Sequence, residues 1–75
     1  MKRLSEFINS KKLKINYIDN KLNIVNFDEI VLLGDEKIIL SKNKQTIVVK
    51  GHDLVLLKLL DCELLIGGCI KIIEL

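Results

Sequence analysis

Seventy-five residues with a formal net charge of +2 make one domain and leave no room for a second. Apolar residues are 49% of the chain, Leu, Ile and Val supply 31 positions, and Trp and Pro are missing, so a thin core must absorb these side chains or leave some for a partner. A membrane-spanning helix is excluded, because the densest apolar run, 54–60, contains Lys58 and is closed by Asp61.

The chain opens with a basic arm, residues 1–21. It carries Lys2, Arg3, Lys11, Lys12, Lys14 and Lys21 against Glu6 and Asp19, whereas residues 22–75 hold six Lys against eight acids. Within the arm, Leu4, Phe7 and Ile8 stand at i, i+3 and i+4 and predict a short amphipathic helix that needs a docking surface to persist. Met1-Lys2-Arg3 runs into a mixed stretch with no apolar h-region, so no export signal is expected, and the compartment reads as reducing and cytoplasmic. Leu13, Ile15 and Tyr17 then predict a weak strand, Asp19-Asn20-Lys21 a turn, and Leu22, Ile24 and Val25 a second strand.

Residues 22–75 form the repetitive β domain. Ile30-Val31-Leu32-Leu33-Gly34 precedes Asp35-Glu36 and Lys37-Ile38-Ile39-Leu40; the same pattern returns around Gly51 and again around Gly67-Gly68. Glycine permits a positive φ, so Gly34, Gly51, Gly67 and Gly68 are read as structural turns between β-prone runs. The period allows either successive hairpins in a curled sheet or a miniature solenoid of stacked coils. The hairpin sheet or small sandwich is preferred, because each half-repeat can pair at once with its neighbour. The expected fold is therefore mainly β, an antiparallel sheet or sandwich with a short N-terminal helix. Leu54, Leu56, Ile70 and Ile72 are the predicted central core, where Ile72→Asp would bury an unpaired charge and unfold the protein. Apolar runs such as 30–33 and 54–57 place aliphatic groups on both faces of their strands, which points to self-association along a second face or an edge.

Reactive constellations are absent from the pattern. His52 is the only histidine and stands beside Asp53 at an expected corner, without a nucleophile or a ligand set. Cys62 and Cys69 form no CxxC pair and read as free, half-buried thiols. Gly67-Gly68 is followed by neither the lysine nor the helix of a phosphate loop. The chain is thus expected to be a non-enzyme with no metal, no cofactor and no small-molecule substrate. The alternative is a module that binds nucleic acid or an anionic membrane surface through Lys2, Arg3, Lys11, Lys12 and Lys14. With only Phe7, Tyr17 and Phe27 as aromatics and a net acidic β body, nucleic acid is the less favoured partner.

From about Leu22 onward the chain resembles the YabP/YqfC family of sporulation proteins. The resemblance enters at Phe27-Asp28, continues through Ile38-Ile39-Leu40-Ser41, and is strongest at Ile47-Val48-Val49-Lys50-Gly51-His52-Asp53-Leu54. It closes on Leu65-Ile66-Gly67-Gly68-Cys69-Ile70 and Ile73-Glu74-Leu75. Thr46 stands where that family often has a glycine, and the arm matches it poorly. The resemblance implies a part in coat or cortex assembly in the mother cell, peripheral to the forespore outer membrane. It further implies an envelope or membrane protein as partner and no catalytic residues, while a homo-oligomer is what the doubly apolar strands lead one to expect.

Overall fold

The computed structural model describes residues 12–75, and the predicted helix around Leu4, Phe7 and Ile8 lies outside them. Six strands follow one another: β1 Lys14–Ile18, β2 Lys21–Val25, β3 Glu29–Leu33, β4 Lys37–Lys42, β5 Gln45–Leu60 and β6 Glu63–Glu74. They make one open sheet in the order β1-β2-β6-β5-β4-β3, and every neighbouring pair is antiparallel. The mainly β, antiparallel reading holds, and the strands pair as hairpins rather than stacking as solenoid coils. The start of the sheet falls earlier than the domain limit drawn from composition: β1, placed in the basic arm, pairs along its whole length with β2.

Two of the reversals have the local chemistry of tight hairpins. Asp19 and Asn20 take φ of 54° and 61° between β1 and β2, and Asn43 and Lys44 take 52° and 67° between β4 and β5. Two successive left-handed residues give a type I′ turn, whose twist matches that of the strands it joins, and Asp and Asn tolerate the conformation better than most side chains. The wider reversal from β3 to β4 is closed by the Gly34 N–H, which donates to the Lys37 carbonyl at 2.9 Å.

Two strands are much longer than the others, and their unequal pairing shapes the molecule. β5 pairs with β4 only through residues 45–50, and β6 pairs with β2 only through 63–66, while β5 and β6 pair with each other from Val48–Glu74 to Leu60–Glu63. The sheet therefore has two halves: β1 and β2 beside the start of β6 and the end of β5, and β3 and β4 beside the start of β5 and the end of β6. Between them the β5–β6 register shifts at Lys50/Gly51 and at His52/Val55. Such bulges bend a strand and increase its twist.

The glycines belong to this bend, which corrects their reading as chain reversals. Gly51 lies inside β5 and Gly67 and Gly68 lie inside β6; of the four, Gly34 alone sits at a reversal. A Cβ on Gly51 would run into the carbonyl oxygen of Cys69, and one on Gly68, at φ 104°, into that of Asp53. The repeated glycines let two paired backbones approach where the long hairpin bends.

The core explains why bending is required. Leu22 and Ile24 of β2, Ile38 and Leu40 of β4, Ile47, Val49 and Leu54 of β5, Leu64 and Ile66 of β6, and Phe27 form a single buried cluster. A flat sheet would leave this face wet, yet most of these side chains have no exposure at all. The bulged β5–β6 hairpin joins the two halves, and side chains from both contribute to this one cluster. Of the four residues predicted as core, Leu54 is buried and Ile70 packs against the cluster from its border. Leu56 and Ile72 are instead 37% and 51% exposed, because the bulges change which face a given position serves and both residues lie beyond them.

Candidate interaction surface

The same unequal pairing leaves an edge open. Beyond the bend, residues 55–60 of β5 are paired to β6 on one side, while the β4 register has already ended at Lys50. Two loop bonds close the first part of the gap: the Gly51 N–H donates to the Glu36 carbonyl at 3.0 Å and the Leu54 N–H to the Asp35 carbonyl at 2.8 Å. Past Leu54 the edge is unprotected by β4 and strongly apolar. Val55, Leu57, Leu59 and Leu60 are each about half exposed, between 48% and 52%, and Lys58 is the one charge among them. Leu57 sits at a further register shift and lies over Gly67, where a Cβ would come within 2.9 Å of its Cδ1. The end of β6 is a second open edge, carrying Ile72, and the outer strand β3 exposes Val31, Leu32 and Leu33.

At the far end of the β5 edge lies an open cleft of about 980 Å³. One wall is the link from β2 to β3, built around Asn26, Phe27 and Asp28; the other is the β5–β6 tip, with Leu59, Leu60 and Asp61. Polar groups fix the link. Asn26, at φ 73°, donates its backbone N–H to the Cys62 carbonyl at 2.7 Å, and its Nδ2 donates to the Lys12 carbonyl at 2.8 Å. Asp28 donates its N–H to the Ser41 carbonyl at 2.8 Å, accepts the Asn43 N–H on Oδ2 at 2.8 Å, and has Lys42 Nζ 3.8 Å from Oδ1. On the other wall Glu63 accepts from Asn23 Nδ2 at 3.0 Å. With Glu29 and Asp61 the lining holds four carboxylates and, among the described residues, no basic side chain.

The remaining predicted residues are scattered. Lys12 and Lys14 are exposed at the start of β1, whereas Lys2, Arg3 and Lys11 lie outside the described residues. Cys62 and Cys69 are free, and both are exposed where half-buried thiols were expected: Cys62 is in the tip turn, and Cys69 is beside the bend, opposite His52. Among the described residues no three His, Cys, Asp or Glu side chains gather as metal ligands, and no helix is long and apolar enough to cross a membrane. Self-association along a face or an edge was expected from the runs 30–33 and 54–57, whereas the acidic cleft was not singled out from the sequence. Asp28-Glu29 and Asp61-Cys62-Glu63 lie far apart along the chain, and only the return of β6 beside β2 brings them together.

The described chain is thus a small bulged antiparallel β-sheet protein with an apolar strand edge and an acidic cleft. Comparison with protein-family models, with curated proteins and with solved structures finds no match.

Proposed function

We propose that this protein is a non-enzymatic assembly module that joins copies of itself by strand addition at the open β5 edge. The observation that carries the reading is the run 55–60: unpaired by β4, half exposed and almost entirely aliphatic. A bare edge is a template for another strand, and natural β proteins usually blunt it with prolines, bulges or several charges. Here one bulge and Lys58 are the only such devices in the run, and the chain has no proline. Main-chain hydrogen bonds would hold a partner strand, and the leucines beside them would supply apolar contact.

The biological setting rests on the resemblance to sporulation proteins, with the module serving coat or cortex assembly in the mother cell beside the forespore outer membrane. An envelope or membrane protein would then meet the assembled form. Light-scattering mass measured across about a hundredfold range of concentration tests the assembly step. A defined oligomer that Val55→Lys converts to monomer, with unchanged melting temperature, is the expected result. A wild-type protein that stays at 8.6 kDa throughout would end the self-assembly reading. In an endospore-forming host, a fluorescent fusion that remained diffuse throughout sporulation would remove the envelope setting.

A further inference from the structure

We infer that His52 and Cys69 are half of a tetrahedral site for a zinc-class cation, and that a second copy of the chain supplies the other half. The pair lies at the bend of the long hairpin and uses neither the β5 run 55–60 nor the acidic cleft, so it stands apart from the assembly reading.

Placement comes first. His52 of β5 and Cys69 of β6 are direct register partners in an antiparallel pair, and both are exposed. Directly opposed residues extend their side chains on one face, with Cβ atoms about 4.5–5.5 Å apart. Bonds of about 2.0 Å to an imidazole nitrogen and about 2.3 Å to a thiolate, at a tetrahedral angle, set the two ligand atoms about 3.5 Å apart. Side chains that start about 5 Å apart on one face reach that spacing by rotation about their own bonds.

The backbone under the pair is held. The register shifts at Lys50/Gly51 and again at His52/Val55, so Gly51–Ile70 and His52–Cys69 form a two-rung ladder between two bulges. A Cβ on Gly51 would run into the Cys69 carbonyl oxygen, and one on Gly68 into that of Asp53. The two strands are thus as close here as backbones allow, and neither ligand residue shifts far without opening the hairpin. Ligands fixed in this way lose little freedom when a cation binds.

Chemistry selects the cation and the count. An imidazole nitrogen with a thiolate suits zinc, whereas magnesium and calcium take oxygen ligands. A structural zinc site has four protein ligands, and among the described residues no third His, Cys, Asp or Glu gathers with this pair. Cys62, the other thiol, stands in the tip turn at the far end of the strand run, about 20 Å away, beyond reach within one copy. A second copy with the same exposed pair completes a set of two thiolates and two imidazoles about a twofold axis, each chain giving the same two atoms. On binding, each thiol releases its proton to solvent and each imidazole ligates through its unprotonated nitrogen, so one divalent cation meets two negative charges.

Cobalt(II) titration followed by absorption, with light-scattering mass measured in zinc and in chelator, tests this in the Val55→Lys protein under a phosphine reductant. That background takes the β5 edge out of the mass, and the difference between zinc and chelator reports the metal alone. Expected are one cobalt per two chains, the intense visible bands of tetrahedral cobalt with a thiolate charge-transfer band, and a mass in zinc twice the 8.6 kDa of one chain. His52→Ala and Cys69→Ser should each abolish the bands and the doubling, and Cys62→Ser should keep both. Both ligand positions are exposed, and a melting curve in chelator checks that the variants fold. One cation per chain with no change of mass would overturn the inference. So would bands that survive Cys69→Ser, bands that vanish in Cys62→Ser, or no tetrahedral bands at all. The wild-type chain carries the same ligands, so its spectrum decides the matter even where a variant folds poorly. Failure here leaves the masses in chelator, and with them the assembly reading, untouched.

Discussion

At Gly68 a backbone conformation and a steric limit coincide. Its φ of 104° is a region that side-chain-bearing residues rarely adopt, and a Cβ there would meet the Asp53 carbonyl. Gly68→Ala should therefore cost more than the roughly 1–3 kcal/mol of a strained backbone position, because the β5–β6 backbones must also separate. Urea unfolding measures this, and a midpoint equal to that of the wild type would show that the bend tolerates a side chain. The core makes the complementary case. Leu64→Ala removes a side chain with no exposure and should cost about 2–5 kcal/mol. Ile72→Asp, expected from the sequence to unfold the protein, falls on an open edge at 51% exposure and should cost about 1 kcal/mol or less. Thermal melts of the two variants side by side distinguish a correctly placed core from a wrongly placed one.

Strand and turn identities show how far local chemistry reaches. The Asp19-Asn20 turn was legible because its residues suit left-handed backbone and lie between apolar runs, and it stands where the sequence placed it. Lys44 is a poorer fit to the same conformation, at φ 67° in the second position of its turn. Lys44→Gly should recover about 1 kcal/mol and raise the melting temperature by about 4–8 °C, with an unchanged far-ultraviolet spectrum. A lower melting temperature would mean that the Lys44 side chain contributes more than its backbone costs. The repeated glycine pattern was equally visible, but its meaning was not. A glycine followed by polar residues is the same signal for a hairpin corner and for a bulge between two paired strands. At Gly51 the decision lies with the Cys69 backbone, which the sequence does not bring near it.

For the whole molecule, the consequence of two long strands between shorter ones is that pairing runs out before the strands do. β4 stops opposite Lys50 and β2 stops opposite Ile66, so β5 and β6 each continue with one open side. The excess of aliphatic residues, which no core of this size absorbs, is found on those open sides and on β3. This is the basis for expecting concentration-dependent association. Wild-type protein should show rising mass with concentration, and Val55→Lys should shift that rise to higher concentration without lowering stability. A rise unaffected by Val55→Lys would move the contact to β3 or to the end of β6. Salt is a further control, because an aliphatic edge pairing through its backbone should persist where exposed ion pairs such as Lys50–Glu74, at 3.6 Å, are screened.

By itself, the sequence determined that this chain makes antiparallel β-structure, where the β1–β2 reversal falls, and that its aliphatic content exceeds what a small core needs. Alternation, turn residues and composition are local properties, and each acts over a few positions. Only the tertiary structure decided that Gly51, Gly67 and Gly68 bend a hairpin without reversing it, that Leu56 and Ile72 face outward, and that four carboxylates line one cleft. Each of those depends on register between strands, and one bulge moves every later side chain to the opposite face.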